Sequence, residues 1–355
     1  MELDNLNLSV IITTYNRAGM ICRAINSVIP QLTKDDEIIV IDDGSTDRTE
    51  EALNNFKDKI IYRRISHGGA GRARNEGIEV AHNPLIGFLD SDDEWMPGKI
   101  RLQRALLKAR PDVLFCFSDL AGRYSSDLER HRLLSYWNKD ALIGEHILGP
   151  GVPFSSISPL PEGSNDFMVH IGDLYEKQME RELVSVITLI YRRGTWQEDD
   201  PKYPEDLPTR EDWEFVGKLA RKGLAAYLDC ETSWAYRHDG PALTKVDHIT
   251  FLDARIKLLE RVWGADTEYL KNHREKYLTV HNNVHKSLIR EFLNLGRMQE
   301  ARKEIKKNSN IPMKYNLLGH FPGFMNRYFF KLRGIFQKNQ IITHPDFLAR
   351  RLYRL

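Results

Sequence analysis

Short apolar runs alternate with segments of helical periodicity over residues 8–89. The runs predict four β-strands, over residues 8–12, 37–41, 60–65 and 85–89. The segments between them predict helices, over residues 17–29, from Thr46 or Asp47 to about residue 56, and near residues 72–80. Because the strands are apolar almost throughout, we expect a mostly parallel sheet covered by helices on both faces. The pattern therefore predicts an α/β fold.

The pattern changes further along the chain. Residues 113–117 and 184–191 predict more strands, and the stretch 149–164 is rich in Gly, Pro and Ser, which favours a loop that shapes a substrate pocket or moves over it. From about residue 249 the apolar residues recur at helical spacing. We therefore expect an α/β domain over residues 1–248 and an all-helical C-terminal region over residues 249–355.

Polar clusters follow three of the predicted strands, over residues 13–16, 42–45 and 90–93. Sheets of this type bind their ligands at the carboxyl ends of the strands. We therefore expect the three clusters to form one site.

The third cluster, Asp90-Ser91-Asp92-Asp93, brings carboxylates together directly after a buried strand. Their charges repel one another unless a cation is present, and oxygen-only ligands select Mg²⁺ or Mn²⁺. A cation held by one or two carboxylates keeps open positions that the oxygens of a diphosphate can fill. The alternative is a solvated acidic turn.

Four motifs occur in order at the ends of successive elements: Val-Ile-Ile-Thr-Thr-Tyr-Asn at 10–16, Val-Ile-Asp-Asp-Gly-Ser-Thr-Asp at 40–47, Gly-Ala-Gly-Arg-Ala-Arg-Asn-Glu-Gly at 69–77, and Phe-Leu-Asp-Ser-Asp-Asp at 88–93. Together they resemble the family 2 glycosyltransferases, inverting enzymes with the Rossmann-like GT-A fold. The resemblance is specific over about residues 7–97 and continues more loosely through 211–214 and 236–238, to about residue 248. It implies a nucleotide-sugar-binding half over 1–97 and an acceptor half over 98–248.

The resemblance also implies roles for the matching residues. Thr13 and Asp43 match positions that hold the nucleotide base, and Arg74 matches the basic position near the nucleotide and its phosphates. Asp90 and Asp92 match the D-x-D pair, with Asp92 as the direct metal ligand and Asp90 directed to the ribose or the metal shell. The full candidate set is Thr13, Tyr15, Asp42, Asp43, Arg74 and Asp90 for the nucleotide, Asp92 and Asp90 for the metal, and Asp212 as the catalytic base.

His238 is a further candidate, for a metal or a diphosphate contact. It follows Arg237 directly, whereas the family has a Y-R-x-H segment, so a structural role is the alternative. Asp212 has an alternative of its own as an N-terminal helix cap, and Arg74 as a surface cation of an amphipathic helix.

Elementary chemistry agrees with the implied roles. Transfer with inversion is a single in-line displacement, so one carboxylate must take the proton of the acceptor hydroxyl. A divalent cation and a guanidinium can stabilise the charge that develops on the leaving diphosphate. The Gly-rich segment at 69–71 is not a dinucleotide fingerprint, because it follows the third strand and Arg74 stands where the last glycine would be.

Composition restricts the expected cellular compartment of the protein and its expected binding partners. The 51 Lys and Arg balance the 50 Asp and Glu, so no global field favours nucleic acid as the partner. The cysteines Cys22, Cys116 and Cys230 form no metal or disulfide pattern and are interpreted as buried thiols of a reducing compartment. With no leader and no apolar span of sufficient length, we expect a cytoplasmic protein.

The C-terminal region is basic, with twelve Lys and Arg against two Asp and Glu over residues 301–355. Residues 321–338 predict an amphipathic helix with cationic flanks. Such a helix can contact an anionic membrane surface, or it can pack its apolar stripe on the preceding helices.

The sequence thus predicts a metal-dependent inverting glycosyltransferase that moves one sugar from a nucleoside diphosphate donor, with UDP favoured, to a saccharide or lipid-linked saccharide in surface polysaccharide assembly. Two alternatives remain open at this point. One is a nucleotidyltransferase, although residues 13–17 lack the Gly-rich loop that such enzymes carry after the first strand. The other is a non-catalytic nucleotide-sugar-binding or scaffold protein.

Overall fold

The computed structural model describes residues 6–125, 127–160, 165–194, 200–237 and 246–307. The chain forms two compact units. The first comprises Met1–Asp206 and Glu211–Gly240, and the second comprises Leu207–Arg210 and Pro241–Leu355. The predicted domain boundary at residue 248 stays a prediction.

The N-terminal part of the first unit is a parallel α/β sheet, as the apolar runs predict. Its strands are β1 (Leu8–Thr14), β2 (Glu37–Asp42), β3 (Ile61–Arg64) and β4 (Leu85–Asp90). They lie in the order β3-β2-β1-β4, and every neighbouring pair is parallel. The connecting helices are α1 (Ile21–Val28), α2 (Thr49–Ala52) and α3 (Ala70–Val80).

Two of these helices are shorter than predicted. α1 begins at Ile21 instead of residue 17. The backbone N–H groups of Arg17 and Ala18, which precede it, donate to the side chains of Thr49 and Asp47. α2 gives way at Leu53–Phe56 to a 3-10 turn. The loop after β1 is thus tied to the loop after β2 and to the first residue of α2.

The rest of the first unit extends the sheet. Its strands are β5 (Glu94–Trp95), β6 (Val113–Ser125), β7 (Leu128–Arg130), β8 (Val152–Pro153), β9 (Met168–Gly172), β10 (Ile190–Arg192) and β11 (Leu224–Tyr236). Its helices are α4 (Lys99–Ala109), α5 (Leu133–Asn138), α6 (Ile143–Leu148), α7 (Tyr175–Glu180) and α8 (Glu211–Lys222). The described residues form an eleven-stranded sheet in the order β3-β2-β1-β4-β10-β6-β11-β9-β8, with β5 on β11 and β7 on β6.

β10 lies antiparallel to both of its neighbours, β4 and β6, and it is shorter than the strand predicted over 184–191. Residues Val186–Thr188 form a 3-10 turn instead. The reason is that side chains occupy the carbonyl groups that a strand would pair: Trp95 Nε1 and Ser233 Oγ donate to Ile187 O, and Lys99 Nζ donates to Thr188 O. The apolar run therefore reaches the sheet only at Ile190.

The core of the sheet is fully buried beneath the polar edge. Val10, Ile11 and Ile12 of β1 have no exposed surface. Gly77 of α3 lies against Ile11, and a Cβ atom at this position would lie 2.4 Å from Ile11 Cγ2. The glycine therefore lets α3 approach β1 closely. All three cysteines are free, with Cys116 buried and the other two half-buried.

The second unit is helical, as the periodicity predicts. It contains α9 (His248–Leu259), a π-turn at Glu260–Gly264, α10 (Thr267–Asn294) and α11 (Met298–Lys307). Asp247 caps α9 by accepting from the N–H groups of Ile249 and Thr250. In the described part of the chain, no helix combines the length and the apolar character that a membrane span requires. The predicted amphipathic helix at 321–338 lies outside the described residues.

Substitution of Gly77 tests the close approach of α3 to β1. Alanine normally stabilises a helix interior relative to glycine, but here its methyl group would clash with Ile11. We expect Gly77→Ala to lower the free energy of unfolding by about 1–3 kcal/mol in urea denaturation. Gly19→Ala is the control, because nothing lies within 4 Å of a Cβ there. An unchanged midpoint for Gly77→Ala would contradict the packing described.

Candidate active site

The ends of β1, β2 and β4 form one polar edge of the sheet. The strand register pairs Thr14 with Asp42 and Thr13 with Asp90. The three predicted polar clusters are therefore adjacent in space, with the β1 cluster between the other two.

Asp43 is buried at this edge and organises the loop that follows β3. Its carboxylate accepts from the backbone N–H groups of Gly68 at 2.7 Å and Gly69 at 2.8 Å, and His67 Nδ1 lies 2.9 Å from Oδ2. Gly69 has φ +91°, a left-handed conformation that glycine adopts without strain. The loops after β2 and β3 are thereby joined through one carboxylate.

Asp42 has a different environment from its neighbour. It is 1% exposed, and its two carboxylate oxygens accept from Ser45 N at 2.7 Å and from the Tyr62 hydroxyl at 2.9 Å. Burial, followed by the hydrogen bond to Asp42, raises the pKa of Tyr62. Both carboxylate oxygens of Asp42 thus help to order the loop that carries Asp43. A nucleotide-binding role for Asp42 stays a prediction.

Tyr15 and His67 form an aromatic face beside Asp43. Their rings stack with centroids 4.2 Å apart and an interplanar angle of 20°. Tyr15 is 39% exposed and the His67 side chain 57%, so the stacked pair is accessible to a planar ligand. His67 was not predicted from sequence. Its position before the glycines at 68 and 69 is the signal that could have indicated a role at this site.

Arg74 joins three of the predicted motifs. From α3 its buried guanidinium donates to Glu211 Oε1 at 2.8 Å and to Asp90 Oδ1 at 2.9 Å. Burial alone would lower the pKa of Arg74, but the carboxylates of Asp90 and Glu211 outweigh burial and raise the pKa well above its usual value. The cation is therefore permanent. It holds the end of β4 and the start of α8 together, and it is not a surface residue.

Asn75, the next residue of α3, anchors the segment that leads towards α8. It accepts from Tyr203 N at 2.8 Å and donates to Tyr203 O and to Glu205 Oε1, both at 3.0 Å. The Tyr203 ring packs on Phe215 of α8 with centroids 4.0 Å apart. Neither Asn75 nor Glu211 was assigned a role from sequence, although Asn75 lies in the motif at 69–77 and Glu211 in the segment 211–214.

Asp90, Asp92 and Asp93 form a tight turn after β4. The N–H of Asp93 donates to Asp90 O at 3.0 Å, and the Asp93 carboxylate accepts from Tyr236 N at 2.9 Å. Burial, the charge of Asp92 and the charge of Asp90 raise the pKa of Asp93 well above its usual range. Burial and Asp92 likewise raise the pKa of Asp90, against the opposing effect of Arg74. The turn therefore concentrates negative charge.

This donor set fits a hard divalent cation. It offers carboxylate oxygens alone, and a cation would relieve the repulsion between Asp90 and Asp92. Within the described residues, no three His, Cys, Asp or Glu ligand atoms converge within 4.8 Å at this turn. A cation here would accordingly rely on oxygens from a bound ligand or water for its remaining positions.

Asp212 is the second residue of α8 and lies close to the acidic turn. Its Oδ1 accepts from Trp213 N at 2.8 Å, and its charge contributes to the raised pKa values of both Asp90 and Glu211. The first turn of α8 also contains Glu211 and Glu214, where the helix dipole favours carboxylates. The structure thus brings Asp212 together with Arg74 and Asp90. His238 lies outside the described residues.

The parallel half of the sheet and its polar edge define a domain with the GT-A fold. Staphylococcus aureus TarS 1-349 in complex with UDP-GlcNAc has this fold. It superposes with a TM-score of 0.59 and 20% sequence identity, covering 84% of this chain and 78% of the TarS 1-349 chain. Residues 9–157 match the family model "Glycosyl transferase family 2". Over residues 9–157 the chain is therefore similar to the family 2 glycosyltransferases.

Curated relatives match part of the chain. An uncharacterized glycosyltransferase of Nostoc sp. is 40% identical over 100 residues, which are 27% of this chain and 31% of that protein. The Escherichia coli UDP-Glc:alpha-D-GlcNAc-diphosphoundecaprenol beta-1,3-glucosyltransferase WfaP is 38% identical over 143 residues, 37% of this chain and 57% of that protein. The chain thus matches less than two thirds of the length of these relatives.

The crowded carboxylates contribute to the pH dependence of the stability. Asp90, Asp93 and Glu211 have raised pKa values, so the folded chain binds more protons than the unfolded chain between the ordinary and the raised values. Their contribution to stability is therefore most favourable below an ordinary aspartate pKa of 3.8 and is lost as the pH rises through the folded values.

Asp93→Asn tests this charge crowding. The amide oxygen keeps the acceptor for Tyr236 N but removes one charge. In metal-free buffer at pH 7 we expect the free energy of unfolding to rise by on the order of 1 kcal/mol. The gain should shrink towards pH 4 in urea denaturation. Asp58→Asn, at an exposed aspartate remote from the turn in sequence, should change stability by less than about 0.5 kcal/mol. A less stable Asp93→Asn at pH 7 would refute the argument.

Proposed function

We propose that this chain transfers a single sugar, with inversion, from a nucleoside diphosphate sugar to a saccharide or lipid-linked saccharide. The observation that carries the proposal is the double ion pair of Arg74, which holds the acidic turn against the start of α8. It brings a cation-binding pair and a carboxylate base candidate to one edge, as a glycosyl transfer needs. The loop after β1 lacks the Gly-rich sequence that a nucleotidyltransferase would carry.

The donor nucleotide is proposed to bind at the loops after β1, β2 and β3. Asp43, oriented by the N–H groups of Gly68 and Gly69, can accept from the ring imide of a pyrimidine, and Thr13 and Tyr15 belong to the same edge. UDP is the favoured nucleotide. WfaP and WfgD, relatives at 38% and 34% identity, are both named as enzymes that use UDP-Glc, which supports this choice.

The same relatives support the acceptor class. Both are named for a GlcNAc-diphosphoundecaprenol acceptor, a sugar on a lipid diphosphate. We propose a lipid-linked saccharide for this chain as well, which would serve surface polysaccharide assembly. A cytoplasmic location and contact of residues 321–338 with an anionic membrane remain predictions from the sequence.

A divalent cation, Mn²⁺ or Mg²⁺, is proposed to be held by Asp92 and Asp90. When bound, it supplies positive charge for the leaving diphosphate. Asp90 would bind the cation with only part of its carboxylate, because its Oδ1 accepts a hydrogen bond from Arg74. Arg74 is buried, and two of its guanidinium nitrogens donate to Asp90 and Glu211. We therefore propose that Arg74 positions both carboxylates and does not contact the phosphates.

Asp212 is proposed as the base. The acceptor hydroxyl oxygen forms its bond to the anomeric carbon as the bond from that carbon to the diphosphate oxygen breaks. The hydroxyl proton passes to Asp212, and the electron pair leaves with the diphosphate. The hydrogen bond from Trp213 N to Oδ1 fixes the carboxylate and leaves Oδ2 available for the proton.

Asp212→Asn tests the base assignment. The amide oxygen can keep the hydrogen bond from Trp213 N but cannot take a proton. We expect kcat to fall by roughly 10²–10⁴-fold while the affinity for UDP, measured by calorimetry, stays unchanged. Transfer is measured from UDP-Glc and UDP-GlcNAc to a lipid-diphosphate GlcNAc acceptor, with Mn²⁺ or EDTA.

Asp247→Asn is the matched control, because Asp247 also accepts N–H groups at the start of a helix, in the second unit. It should retain wild-type turnover. If Asp212→Asn turns over at the wild-type rate, the base lies elsewhere. If the wild-type chain binds no nucleoside diphosphate with either metal, the proposal as a whole fails.

Tyr15→Leu tests the aromatic face of the donor site. Loss of stacking on a base costs about 1–3 kcal/mol, so we expect UDP to bind at least about fivefold more weakly in calorimetry. Tyr136→Leu, at a tyrosine that is 43% exposed and stacks under Arg130, should leave UDP binding unchanged. Equal affinities for both variants would show that the nucleotide base does not lie on Tyr15.

A further inference from the structure

Two histidines and a glutamate converge in the helical second unit. His281 and His285 are four residues apart on α10, so they lie on the same face of the helix. Glu260 is the first residue of the π-turn that ends α9. One ligand atom from each of the three lies within 4.8 Å of the others. In the described part of the chain, this is the one group of His, Cys, Asp and Glu that meets this criterion.

The two imidazole rings approach each other through their Nε2 atoms. His281 Nε2 lies 3.2 Å from His285 Nε2 and 3.2 Å from Glu260 Oε1. A tetrahedral zinc ion with bonds of about 2.0–2.1 Å separates its ligand atoms by about 3.3–3.4 Å. The spacing is thus close to the edge length of a zinc coordination tetrahedron.

Glu304 fixes the tautomer of His285. Its Oε1 lies 2.5 Å from His285 Nδ1, and both side chains are buried. Because the carboxylate accepts the Nδ1 proton, the lone pair of Nε2 points towards His281. A carboxylate behind a histidine is the usual support of a metal-bound imidazole. Glu304 belongs to α11, so this pair ties α11 to α10.

The local backbone explains how Glu260 comes into reach. Gly264 closes the π-turn against Tyr277, and a Cβ atom there would lie 2.6 Å from the Tyr277 hydroxyl oxygen. The Tyr277 ring in turn stacks on His281 with centroids 5.3 Å apart. Single π-turns in helices are frequent at functional sites.

A cavity of about 430 Å³ opens beside the three side chains. Its lining includes Asp253 and Lys257 of α9 and Asn282 of α10 in addition to the cluster itself. It has room for water or another ligand to complete a coordination sphere. Three protein ligands leave the fourth tetrahedral position to water or another ligand.

We propose that Glu260, His281 and His285 form a binding site for a divalent transition metal of the zinc type, supported by Glu304. The nitrogen-rich donor set distinguishes this site from the all-oxygen turn at Asp90 and Asp92, which suits Mg²⁺ or Mn²⁺. The ion would fasten the end of α9 to α10 and, through Glu304, to α11. Its role is therefore to hold the helical unit together, separately from glycosyl transfer.

The test uses the tag-free full chain, stripped with EDTA and dialysed. Zn²⁺ is titrated calorimetrically, and thermal unfolding is followed with and without Zn²⁺. We expect one zinc per chain and a higher Tm with zinc, because the ion binds the folded state. Substitution by Co²⁺ should give the visible absorption of a tetrahedral site with nitrogen ligands.

Variants separate a metal site from a plain hydrogen-bond chain. Glu260→Gln removes a ligand that is 54% exposed, so it should fold normally and bind Zn²⁺ far more weakly. His281→Gln should also lose binding, and Glu304→Gln should weaken it by about 10–100-fold. His248→Gln is the control, because it removes a histidine paired with Glu291 of α10 and should bind Zn²⁺ like the wild type.

The proposal is overturned if Zn²⁺ does not bind the wild-type chain, or if Glu260→Gln and His281→Gln bind it with unchanged affinity. Either result would leave the cluster as a hydrogen-bond chain from Glu260 through both histidines to Glu304. None of these readouts depends on transferase activity.

Discussion

The buried guanidinium of Arg74 is the interaction on which the polar edge depends. It is a permanent cation between two carboxylates from distant parts of the chain, Asp90 and Glu211. Removal of such a cation leaves two partly desolvated anions without a partner, which is far more costly than loss of a surface ion pair. Gly77 supports it indirectly, because the close contact of α3 with β1 brings the guanidinium to the strand ends.

Arg74 also explains how so many acidic groups can lie at one edge. Asp90, Asp92, Asp93, Glu211 and Asp212 would repel one another in any compact arrangement. Arg74 pairs with Asp90 and Glu211, and Arg17 Nε lies 3.6 Å from Asp92 Oδ2. The raised pKa values of Asp90 and Asp93 express this residual repulsion. The proposed divalent cation would relieve this repulsion, so the acidic edge would bind it more tightly, at the expense of the stability of the fold without the cation.

Sequence patterns predicted those features that arise from local chemistry. The four parallel strands follow from uninterrupted apolar runs, and the shared edge follows from polar residues at their ends. The predicted strand over 184–191 was wrong for Val186–Thr188, because the carbonyl groups of Ile187 and Thr188 are taken by side chains from other elements. Periodicity contains no information on such partners.

The candidate site shows the same limit. Motif resemblance selected Asp43, Arg74, Asp90 and Asp212, and the structure brings these residues to one edge. The resemblance did not reveal that Arg74 pairs with Glu211, 137 positions away. His67 was missed because a single histidine before a glycine has no pattern of its own. The His281 and His285 pair was hidden in a helix with ordinary amphipathic spacing, and its partners come from a turn and another helix.

The position of β10 in the sheet has a consequence for biosynthesis. This three-residue strand, Ile190–Arg192, is made after β4 and β6 yet separates them in the sheet. While the chain emerges from the ribosome, the facing edges of β4 and β6 therefore lack their common neighbour until residue 192 has been added. Unpaired edges of this kind invite association with other chains, so the nascent protein passes through an interval in which protection by chaperones matters most.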